Sequence, residues 1–357
     1  MRIVQVIDSL DVGGAEKMAV NYANALLTKI EFSGLVATRA EGNLKNQLND
    51  SVPYLFLNKK ATIDFGSVLR LRKYCIEHKV DCLQPHSSSY FTALLVKFVC
   101  PKIKILWHDH NGLSEFISSE KSFALKIASY FFKGIIVVNY KLEDWVEKEL
   151  NCKKVIYLPN FTTIDNSAKA ETTLKGKAGK RILCLANLRD QKNHFFLIEV
   201  AEKLQNTHPD WTFHLVGKDF EDDYSKQIKV LIVNKNLENN VFIYGSKNDI
   251  SNIINQSEIA ILTSKSEGMP IALIEYGLMK MPVVLTKVGE IPFIIKDGIE
   301  GFLVDANDVD LFYEKLIKYI QEEDLRVQMG NSLYQTIIKN HSEKGIITNY
   351  LNWVSDL

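Results

Sequence analysis

Residues 259–277 read IAILTSKSEGMPIALIEYG, and this stretch combines two kinds of local structure. The apolar run Ile259–Leu262 predicts a buried strand, because short uninterrupted apolar segments suit a sheet that is covered on both faces. Gly268 and Pro270 suit a turn at the entrance of a helix, which then carries the apolar positions that follow. A buried strand, a turn and a helix in this order form the repeating unit of a parallel, helix-covered sheet.

The same alternation of apolar runs and amphipathic stretches continues on both sides of this segment. In the N-terminal half it covers Ile3–Ile7, Glu16–Leu27, Leu35–Thr38, Val68–His78, Cys82–Pro85, Ile103–Trp107 and Gly134–Val138. A second series covers Arg181–Ala186, Phe196–Leu204, Thr212–Val216, Ser225–Val233, Val241–Tyr244, Leu273–Met279 and Val283–Thr286. The polar segment Asn160–Lys180 separates the two series and predicts a linker.

These patterns predict an α/β protein with two Rossmann-like domains that face a central cleft. We expect the first domain at residues 1–165 and the second at 166–340. A C-terminal helix, 341–357, is expected to cross back onto the first domain. Ligands of open α/β sheets bind at the carboxyl ends of strands, so the cleft is the expected site.

Composition excludes several classes of protein. The 357 residues include 46% hydrophobic and 24% charged side chains, which is typical of globular domains rather than disordered chains. The net charge is zero, which argues against nucleic acid as the principal partner. Five scattered cysteines predict reduced core thiols, and neither an export signal nor a membrane span is expected.

Charge is distributed unevenly along the chain. Residues 1–160 contain 21 basic and 16 acidic side chains, a net charge of +5, and the remainder carries −5. One interpretation is attraction of the N-terminal half to an anionic membrane or acceptor. The alternative is ordinary variation of surface charge, and the charge pattern leaves both open.

Glu267 and Glu275 are the first candidates for ligand-binding side chains. On a continuous helix, carboxylates eight positions apart lie within about 80° of each other and reach successive parts of an extended ligand. Carboxylates are strong acceptors for sugar hydroxyls, and first-turn backbone N–H groups near Gly268 bind phosphate oxygens. The alternative is that Glu267 stabilises the helix start by its charge and Glu275 is a surface residue.

Cationic and glycine-rich loops follow other strands. Arg189 and Lys192 come after the first strand of the second series, where a guanidinium and an ammonium suit a pyrophosphate, although surface charges are the plain alternative. Gly13 and Gly14 follow the first strand of the chain, where glycine lets the backbone approach a ligand closely.

Histidines follow two strands of the first series. His108 and His110 come after the run Ile103–Leu106, and His86 follows Cys82–Pro85. Two histidines one residue apart suggest a metal site, but the sequence offers no third ligand at a recognisable spacing, and isolated histidines are more often structural.

Glu267, Gly268-Met269-Pro270 and Glu275 resemble the E-x7-E signature of glycosyltransferase family 4, whose members are retaining enzymes of the GT-B fold. The similarity continues through Met281–Val284, Val288-Gly289 and Asp297–Val304, and it is dense over 181–304 and thinner over 1–160. The chain departs from the family in two places: Phe293 stands where a glutamate is customary, and Asn187 stands where an arginine is usual.

The resemblance implies retaining transfer of a sugar from a nucleoside-diphosphate sugar to a glycan or lipid-linked glycan in bacterial surface-polysaccharide synthesis. We expect UDP as the nucleotide, with GDP as the second candidate. It makes the first domain the acceptor side and the second the donor domain. It implies catalytic roles for His108 and Glu267, with His110 as the rival of His108. It assigns donor binding to Gly14, Arg189, Lys192, Gly268, Met269, Pro270 and Glu275, and the acceptor side to His86 and His110.

No metal or other cofactor is expected, because a cationic pair such as Lys192 and Arg189 stabilises a diphosphate leaving group. Two other functions fit the same fold: a nucleotide-sugar epimerase, which needs no acceptor, and a nucleotide-sugar-binding protein without turnover. The apolar, lysine-punctuated segment Lys121–Lys133 is a candidate for docking on an anionic membrane, with a helix packed on the sheet as the alternative. The expected location is the cytoplasm, at the inner face of the membrane if this docking occurs.

Overall fold

The structure is a computed structural model, and it describes residues 1–110, 119–163 and 169–357. The chain divides into two compact units. The first comprises Met1–Thr162 and Glu343–Leu357, and the second comprises Thr163–Ser342. The expected boundary between residues 165 and 166 lies outside the described residues.

The described part of the first unit contains a parallel sheet of seven strands. These are β1 (Arg2–Ser9), β2 (Phe32–Ala40), β3 (Tyr54–Phe56), β4 (Cys82–Pro85), β5 (Lys104–Asp109), β6 (Gly134–Val137) and β7 (Val155–Tyr157). Their spatial order is β3-β2-β1-β4-β5-β6-β7. Ile3, Val4 and Val6 of β1 are fully buried, as expected for a central strand with helices on both faces.

Helices connect these strands. They are α1 (Gly14–Leu26), α2 (Phe65–Glu77), α3 (Tyr90–Val99), α4 (Ser119–Ala128) and α5 (Tyr140–Glu149). In α1, Met18, Tyr22 and Leu26 recur every four residues and are fully buried, so one face of the helix packs on the sheet.

The second unit repeats this architecture with six described strands, all parallel. These are β8 (Arg181–Leu185), β9 (Thr212–Val216), β10 (Val241–Ile243), β11 (Ile259–Leu262), β12 (Val283–Thr286) and β13 (Phe302–Val304), in the spatial order β10-β9-β8-β11-β12-β13. The helices are α6 (His194–Thr207), α7 (Asp223–Asn234), α8 (Ile250–Asn255), α9 (Ile271–Leu278), α10 (Ile291–Ile294), α11 (Val309–Gln321) and α12 (Glu323–Asn340).

The last helix, α13 (Glu343–Ser355), belongs to the first unit. Tyr350 is fully buried, and its ring lies 5.1 Å from that of Tyr22 in α1. The indole of Trp353 covers Gly134 at the start of β6, where an added Cβ would come within 2.6 Å of it. The end of the chain therefore completes the core of the unit in which the chain begins.

Each sheet has one position where the connections leave in opposite directions. In the first sheet this position lies between β1 and β4, and in the second it lies between β8 and β11. Loops diverge at the carboxyl ends of such strand pairs and leave a crevice for a ligand. The fold therefore places one candidate site in each unit.

Three other sequence expectations concern less central features. All five cysteines are free thiols, and all except Cys100 are buried. Part of the expected linker is fixed to the second unit, because Asp249 accepts hydrogen bonds from the backbone N–H groups of Glu171 and Thr172 at 2.9 and 2.7 Å. Among the described helices, none combines the length and the apolar character that a membrane span requires.

Candidate active site

Glu267 and Glu275 lie in different local structures. Helix α9 begins at Ile271, so Glu275 is on the helix and Glu267 lies in the loop between β11 and α9. The helical-wheel argument that put the two carboxylates within about 80° of each other was therefore wrong, because the helix begins after Pro270 and Glu267 lies before it. The preceding loop, not a helix face, determines where the Glu267 side chain points.

Lys192 and Glu267 form an ion pair at the crevice of the second sheet. Lys192 Nζ lies 2.6 Å from Glu267 Oε1, and their side chains are 22% and 5% exposed. Ser264 Oγ donates a second hydrogen bond to the same carboxylate oxygen, at 2.5 Å. The carboxylate is therefore fixed by two donors from the loops that follow β8 and β11.

Hydrogen bonds between these two loops hold the ion pair in place. Gln191 Nε2 donates to Ser266 O at 2.8 Å, and the backbone N–H of Lys265 donates to Gln191 O at the same distance. Thr263 Oγ1 donates to Lys192 O at 3.0 Å. These hydrogen bonds between the two loops could not be predicted from the sequence, because they join residues about 75 positions apart.

Gly289 approaches the backbone of Glu267 more closely than another residue can. Its φ is +56°, and an added Cβ would lie 1.7 Å from Glu267 O. The next residue, Glu290, donates its backbone N–H to Gly268 O at 3.2 Å. The loop after β12 therefore packs against the backbone of Glu267 and Gly268 and stabilises their conformation.

The other expected donor-binding residues surround this pair in the second unit. Met269 and Pro270 are buried, and Pro270 precedes the first turn of α9. The guanidinium of Arg189 lies over the ring of Phe220, 4.4 Å from its centroid, and Asn187 Oδ1 accepts from the backbone N–H of Lys218 at 2.7 Å. Asn187 therefore supports a neighbouring loop in the place where the family carries an arginine.

His194 is a buried neighbour that the sequence did not single out. Its backbone N–H donates to Tyr224 Oη at 2.8 Å, and Nδ1 lies 3.1 Å from the same hydroxyl. Nε2 is buried and has no hydrogen-bond partner among the described residues. Burial, and secondarily the nearby charge of Lys192, lowers the pKa of His194 to about 4, so the imidazole is neutral at pH 7.

In the first unit, the structure brings His86, His108 and His110 together. His86 follows β4 and His108 lies at the end of β5, and the two are paired across the neighbouring strands. Nδ1 of His86 lies 2.8 Å from Nε2 of His110. His108 Nε2 and His110 Nδ1 are buried and have no hydrogen-bond partner among the described residues. The crevice between β1 and β4 is thus flanked by imidazoles.

Burial keeps these imidazoles neutral. It holds the pKa of both His86 and His108 well below the usual range, with His110 contributing to both shifts. The same cause lowers the pKa of His110 to about 3. A site of neutral rings hydrogen-bonds to hydroxyl groups without adding a charge.

In the part of the chain that the structure describes, the three histidines form a group that could bind a metal. One nitrogen from each ring lies within 4.8 Å of the others, so His86 is the third ligand that the sequence did not reveal. A metal would have to replace the hydrogen bond between His86 and His110. These rings therefore offer suitable donors, but their present contacts are hydrogen bonds within the cluster.

The chain also contains an Asp-x-Asp triplet, Asp308-Val309-Asp310, a spacing of carboxylates able to hold a divalent cation. Asp308 Oδ1 accepts from the backbone N–H of Leu311 at 2.9 Å and caps α11, and Asp310 pairs with Lys203 at 2.5 Å. Both carboxylates therefore have structural contacts.

Gly14 forms the start of α1, beside the β1 end of the crevice. An added Cβ would meet no atom within 4 Å, so the glycine leaves open space. At Gly13 an added Cβ would meet the carboxylate of Glu16 at 2.3 Å. Space at Gly14 is consistent with a ligand approaching the helix start.

Comparison with known proteins relates the second unit to a family. Residues 165–336 match the family model described as Glycosyl transferases group 1. The UDP-Gal:alpha-D-GlcNAc-diphosphoundecaprenol alpha-1,3-galactosyltransferase of Escherichia coli is 25% identical over 338 residues, which cover 86% of this chain and 84% of the relative. The poly(ribitol-phosphate) alpha-N-acetylglucosaminyltransferase of Staphylococcus aureus strain COL is 26% identical over 221 residues, which cover 61% of this chain and 43% of the relative.

Solved structures give the fold. Anabaena HepE, crystallised with UDP and glucose, aligns over 100% of both chains with a TM-score of 0.84 and 18% identity. A glycosyltransferase from Rickettsia africae aligns over 98% of this chain and 97% of its own, with a TM-score of 0.76 and 18% identity. The expected α/β class with two Rossmann-like units in a GT-B fold is confirmed. Residues 165–336, which span most of the second unit, therefore match the glycosyl transferases group 1 family, in agreement with the resemblance seen in the sequence.

Proposed function

We propose that this glycosyltransferase moves a sugar from a UDP-sugar, with retention of anomeric configuration, to a glycan or lipid-linked glycan in bacterial surface-polysaccharide synthesis. The observation that carries the proposal is the Lys192–Glu267 ion pair, held by two loops at the crevice of the second sheet. The names of the Escherichia coli and Staphylococcus aureus relatives, and UDP in the HepE crystals, support the donor and acceptor classes.

In this proposal the diphosphate of the donor binds near Lys192, with Arg189 as a second cation. The bond between the anomeric carbon and the diphosphate breaks, and the acceptor oxygen bonds to the same face of that carbon. The acceptor proton passes to the leaving phosphate. Lys192 stabilises the charge that develops on the diphosphate, because a fixed cation in a partly buried site acts with little solvent screening.

Glu267 and Glu275 have separate roles in the proposal. Glu267 contacts a hydroxyl of the transferred sugar, and Glu275, on α9, holds the ribose of the nucleotide. His108 in the first unit hydrogen-bonds to the transferred sugar, and His86 and His110 border the acceptor. Gly14 and the turn Gly268–Pro270 provide backbone N–H groups for donor oxygens.

Thermal unfolding with UDP, GDP, ADP and NAD tests the donor site. A ligand at about 100 times its dissociation constant stabilises the folded protein by about 2.7 kcal/mol. We expect UDP to give the largest shift and both Glu275→Ala and Lys192→Ala to reduce it. Lys226→Ala is the matched control, because Lys226 is exposed and pairs with Asp223 in α7. Stabilisation by NAD alone, or by no nucleotide at millimolar concentration, would contradict the donor site.

Product analysis separates transfer from the two rival functions. With a UDP-sugar and no acceptor, an epimerase would convert it into a second nucleotide sugar. The proposed transferase would form no second nucleotide sugar under these conditions. With an acceptor present, the linkage formed should have the anomeric configuration of the donor. Nucleotide binding without product in either reaction would leave a binding protein as the better account.

Metal independence forms part of the proposal and rests on the cationic side chains beside the donor site. Initial rates after treatment with EDTA should therefore equal those of the untreated protein. Loss of activity that zinc or magnesium restores would contradict it. Repeating the assay with His110→Gln would then tell whether the histidine cluster holds the ion.

We also propose that the first unit docks on an anionic membrane through the segment Lys121–Lys133. Phe123 and Tyr130 are 66% and 71% exposed, and Lys126 and Lys133 are exposed beside them. The ring of Phe131 packs edge-on against that of Phe98 at 5.1 Å, which extends the apolar surface to the end of α3. The side chains of Lys121 and Ser122 lie outside the described residues.

Sedimentation with vesicles tests this docking surface. At low salt the protein should sediment with phosphatidylglycerol vesicles. A smaller fraction should sediment with phosphatidylcholine vesicles, because lysines near anionic headgroups add an electrostatic attraction. Phe123→Ser with Tyr130→Ser should abolish retention. Val230→Ser is a control, because Val230 is an exposed apolar residue of the second unit. Retention that is independent of both charge and these aromatic residues would contradict the proposal.

A further inference from the structure

A buried chain of hydrogen bonds links helix α13 to the histidine cluster of the first unit. Tyr350 Oη lies 2.6 Å from Gln84 Oε1, and Gln84 Nε2 lies 3.2 Å from His108 Nδ1. Gln5 connects the same amide to His86, since its Nε2 lies 3.3 Å from Gln84 Oε1 and its Oε1 lies 2.7 Å from His86 Nε2. Gln5, Gln84 and Tyr350 are fully buried.

We propose that Tyr350, acting through Gln84, fixes His108 as the tautomer that carries its proton on Nε2. Tyr350 and Gln84 are then positioning residues, and the C-terminal helix determines which hydrogen-bonding group His108 offers to a ligand. The proposal rests on the function proposed above for His108, at the transferred sugar. The tautomer itself is a property of the protein without substrate.

The two glutamines can point only in matched directions. Oxygen and nitrogen of an amide exchange places by a half-turn, so each side chain has two orientations. If Gln84 alone turns, two amide nitrogens face each other at the 3.3 Å contact, and if Gln5 alone turns, two oxygens do. The chain therefore has two self-consistent directions, and both amides reverse together.

The phenol of Tyr350 distinguishes the two directions. In one, its O–H donates to Gln84 Oε1 and the Gln84 N–H donates to His108 Nδ1, which leaves the proton of His108 on Nε2. In the reverse direction the Gln84 side-chain N–H donates to Tyr350 Oη. The hydroxyl proton of Tyr350 then no longer has Gln84 Oε1 as its acceptor. A buried hydroxyl proton without an acceptor is costly, so the first direction is favoured.

The same direction assigns the other two rings. His86 donates from Nε2 to Gln5 Oε1, so its Nδ1 accepts from His110 Nε2. His110 then presents an unprotonated Nδ1, whereas His108 presents an N–H. His108 Nε2 is buried and has no hydrogen-bond partner among the described residues, so it is the ring position at which a ligand would meet the N–H.

NMR of the full-length protein labelled with ¹⁵N-histidine tests the inference, because two-bond ¹H–¹⁵N correlations report which ring nitrogen is protonated. The signals that disappear in His108→Gln belong to His108. We expect Nε2–H in the natural sequence. In Gln84→Glu both side-chain oxygens accept, so a proton should appear on His108 Nδ1. In Tyr350→Phe the two tautomers should coexist.

Tyr22→Phe is the matched control. Its hydroxyl is buried without a hydrogen-bond partner among the described residues, and its ring packs against both His108 and Tyr350, at 5.4 and 5.1 Å. It should leave the tautomer unchanged. If Gln84→Glu does not fold, the comparison of Tyr350→Phe with Tyr22→Phe carries the test. A proton on Nδ1 in the natural sequence, or equal spectra of the two tyrosine variants, would overturn the inference.

Activity provides an independent measurement. Gln84→Glu should lower kcat at least about tenfold, because a histidine in the wrong tautomer cannot make its hydrogen bond to the reacting groups, and UDP affinity should be unchanged. Rates equal to those of the natural sequence would overturn the role in positioning. If the tautomer is as expected but the natural protein transfers no sugar, the proposed function fails and the tautomer assignment stands.

Discussion

The two units share the alternation of parallel strands and helices, yet one crevice holds charged side chains and the other holds neutral ones. The crevice of the second unit holds an ion pair, Lys192 with Glu267, at 2.6 Å. The crevice of the first holds three neutral imidazoles, which are positioned by amides and a phenol. The topology therefore gives each unit a crevice at the same place in its sheet, whereas the side chains after each strand determine whether that crevice is charged or neutral.

The difference follows from what each site is proposed to stabilise. A departing diphosphate gains negative charge and needs a fixed cation. A sugar hydroxyl needs directional donors and acceptors, and a charge beside it would add desolvation without matching a charge on the substrate. Four experiments alter one crevice at a time and compare the result with the other.

Removal of the Lys192 charge should have the largest effect. Lys192→Met is expected to lower kcat/KM by about 10²–10³-fold, since the diphosphate loses its cation. The buried Glu267 carboxylate, left unpaired, should also reduce the free energy of unfolding by about 3 kcal/mol. Initial rates and urea unfolding measure the two effects. Lys192→Met combined with Glu267→Leu should recover stability without activity, and equal stability of the single and double variants would contradict this account.

The histidine crevice should respond in rate but not in nucleotide affinity. His108→Gln is expected to reduce kcat by about 10²-fold, because one preorganised donor to the reacting sugar is lost. His110→Gln should reduce it less, since its free nitrogen is an acceptor in the proposed direction of the hydrogen-bond chain. Kinetics and calorimetric titration with UDP check both variants. A larger loss for His110→Gln would exchange the two roles.

Gly289→Ala tests the backbone behind Glu267. Both Gly289 and Gly298 have positive φ, +56° and +76°, but only the Gly289 Cβ would collide with neighbouring backbone. Gly298→Ala therefore measures the conformational strain alone. Gly289→Ala should destabilise the protein by about 1–3 kcal/mol more than this control, because the Glu267 carbonyl must move. Equal unfolding midpoints would show that the loop adjusts without strain.

Acid should destabilise the first unit through its buried histidines. Because their pKa values are depressed in the folded protein, the unfolded chain binds protons first as the pH falls below about 6.5. Each histidine then removes about 1.4 kcal/mol of stability per pH unit, until its folded pKa is reached. His86→Gln should make the slope of unfolding free energy against pH shallower by about this amount between pH 6 and 4.5. An unchanged slope would place the acid sensitivity elsewhere.

The sequence predicted the architecture because local signals repeat. Apolar runs such as Ile259–Leu262 are strands, and Gly268 and Pro270 precede a helix, as expected. These features depend on residues near each other in the chain. The start of the helix was misplaced relative to Glu267, because the turn takes several residues that the charge pattern alone does not reveal.

The sequence indicated individual candidate residues but not the hydrogen-bond partners that hold them. Ser264 lies three positions before Glu267, a spacing at which a hydroxyl can reach a carboxylate, so this contact was open to prediction. His86 was a candidate site residue, whereas Gln84 was visible only as a position in the preceding strand. The link from Gln84 to Tyr350 spans 266 positions, and no local pattern indicates that a packing residue in the last helix bonds to a strand of the first unit.

The return of helix α13 to the first unit has a consequence for the order of folding during synthesis. The second unit, Thr163–Ser342, is continuous in sequence, whereas the first needs residues on both sides of it. A ribosome therefore releases every residue of the second unit before the first has its last helix. Until Tyr350 emerges, Gln84 and Tyr22 lack the partner that covers them, so the early part of the chain must wait, incompletely packed, for its late part.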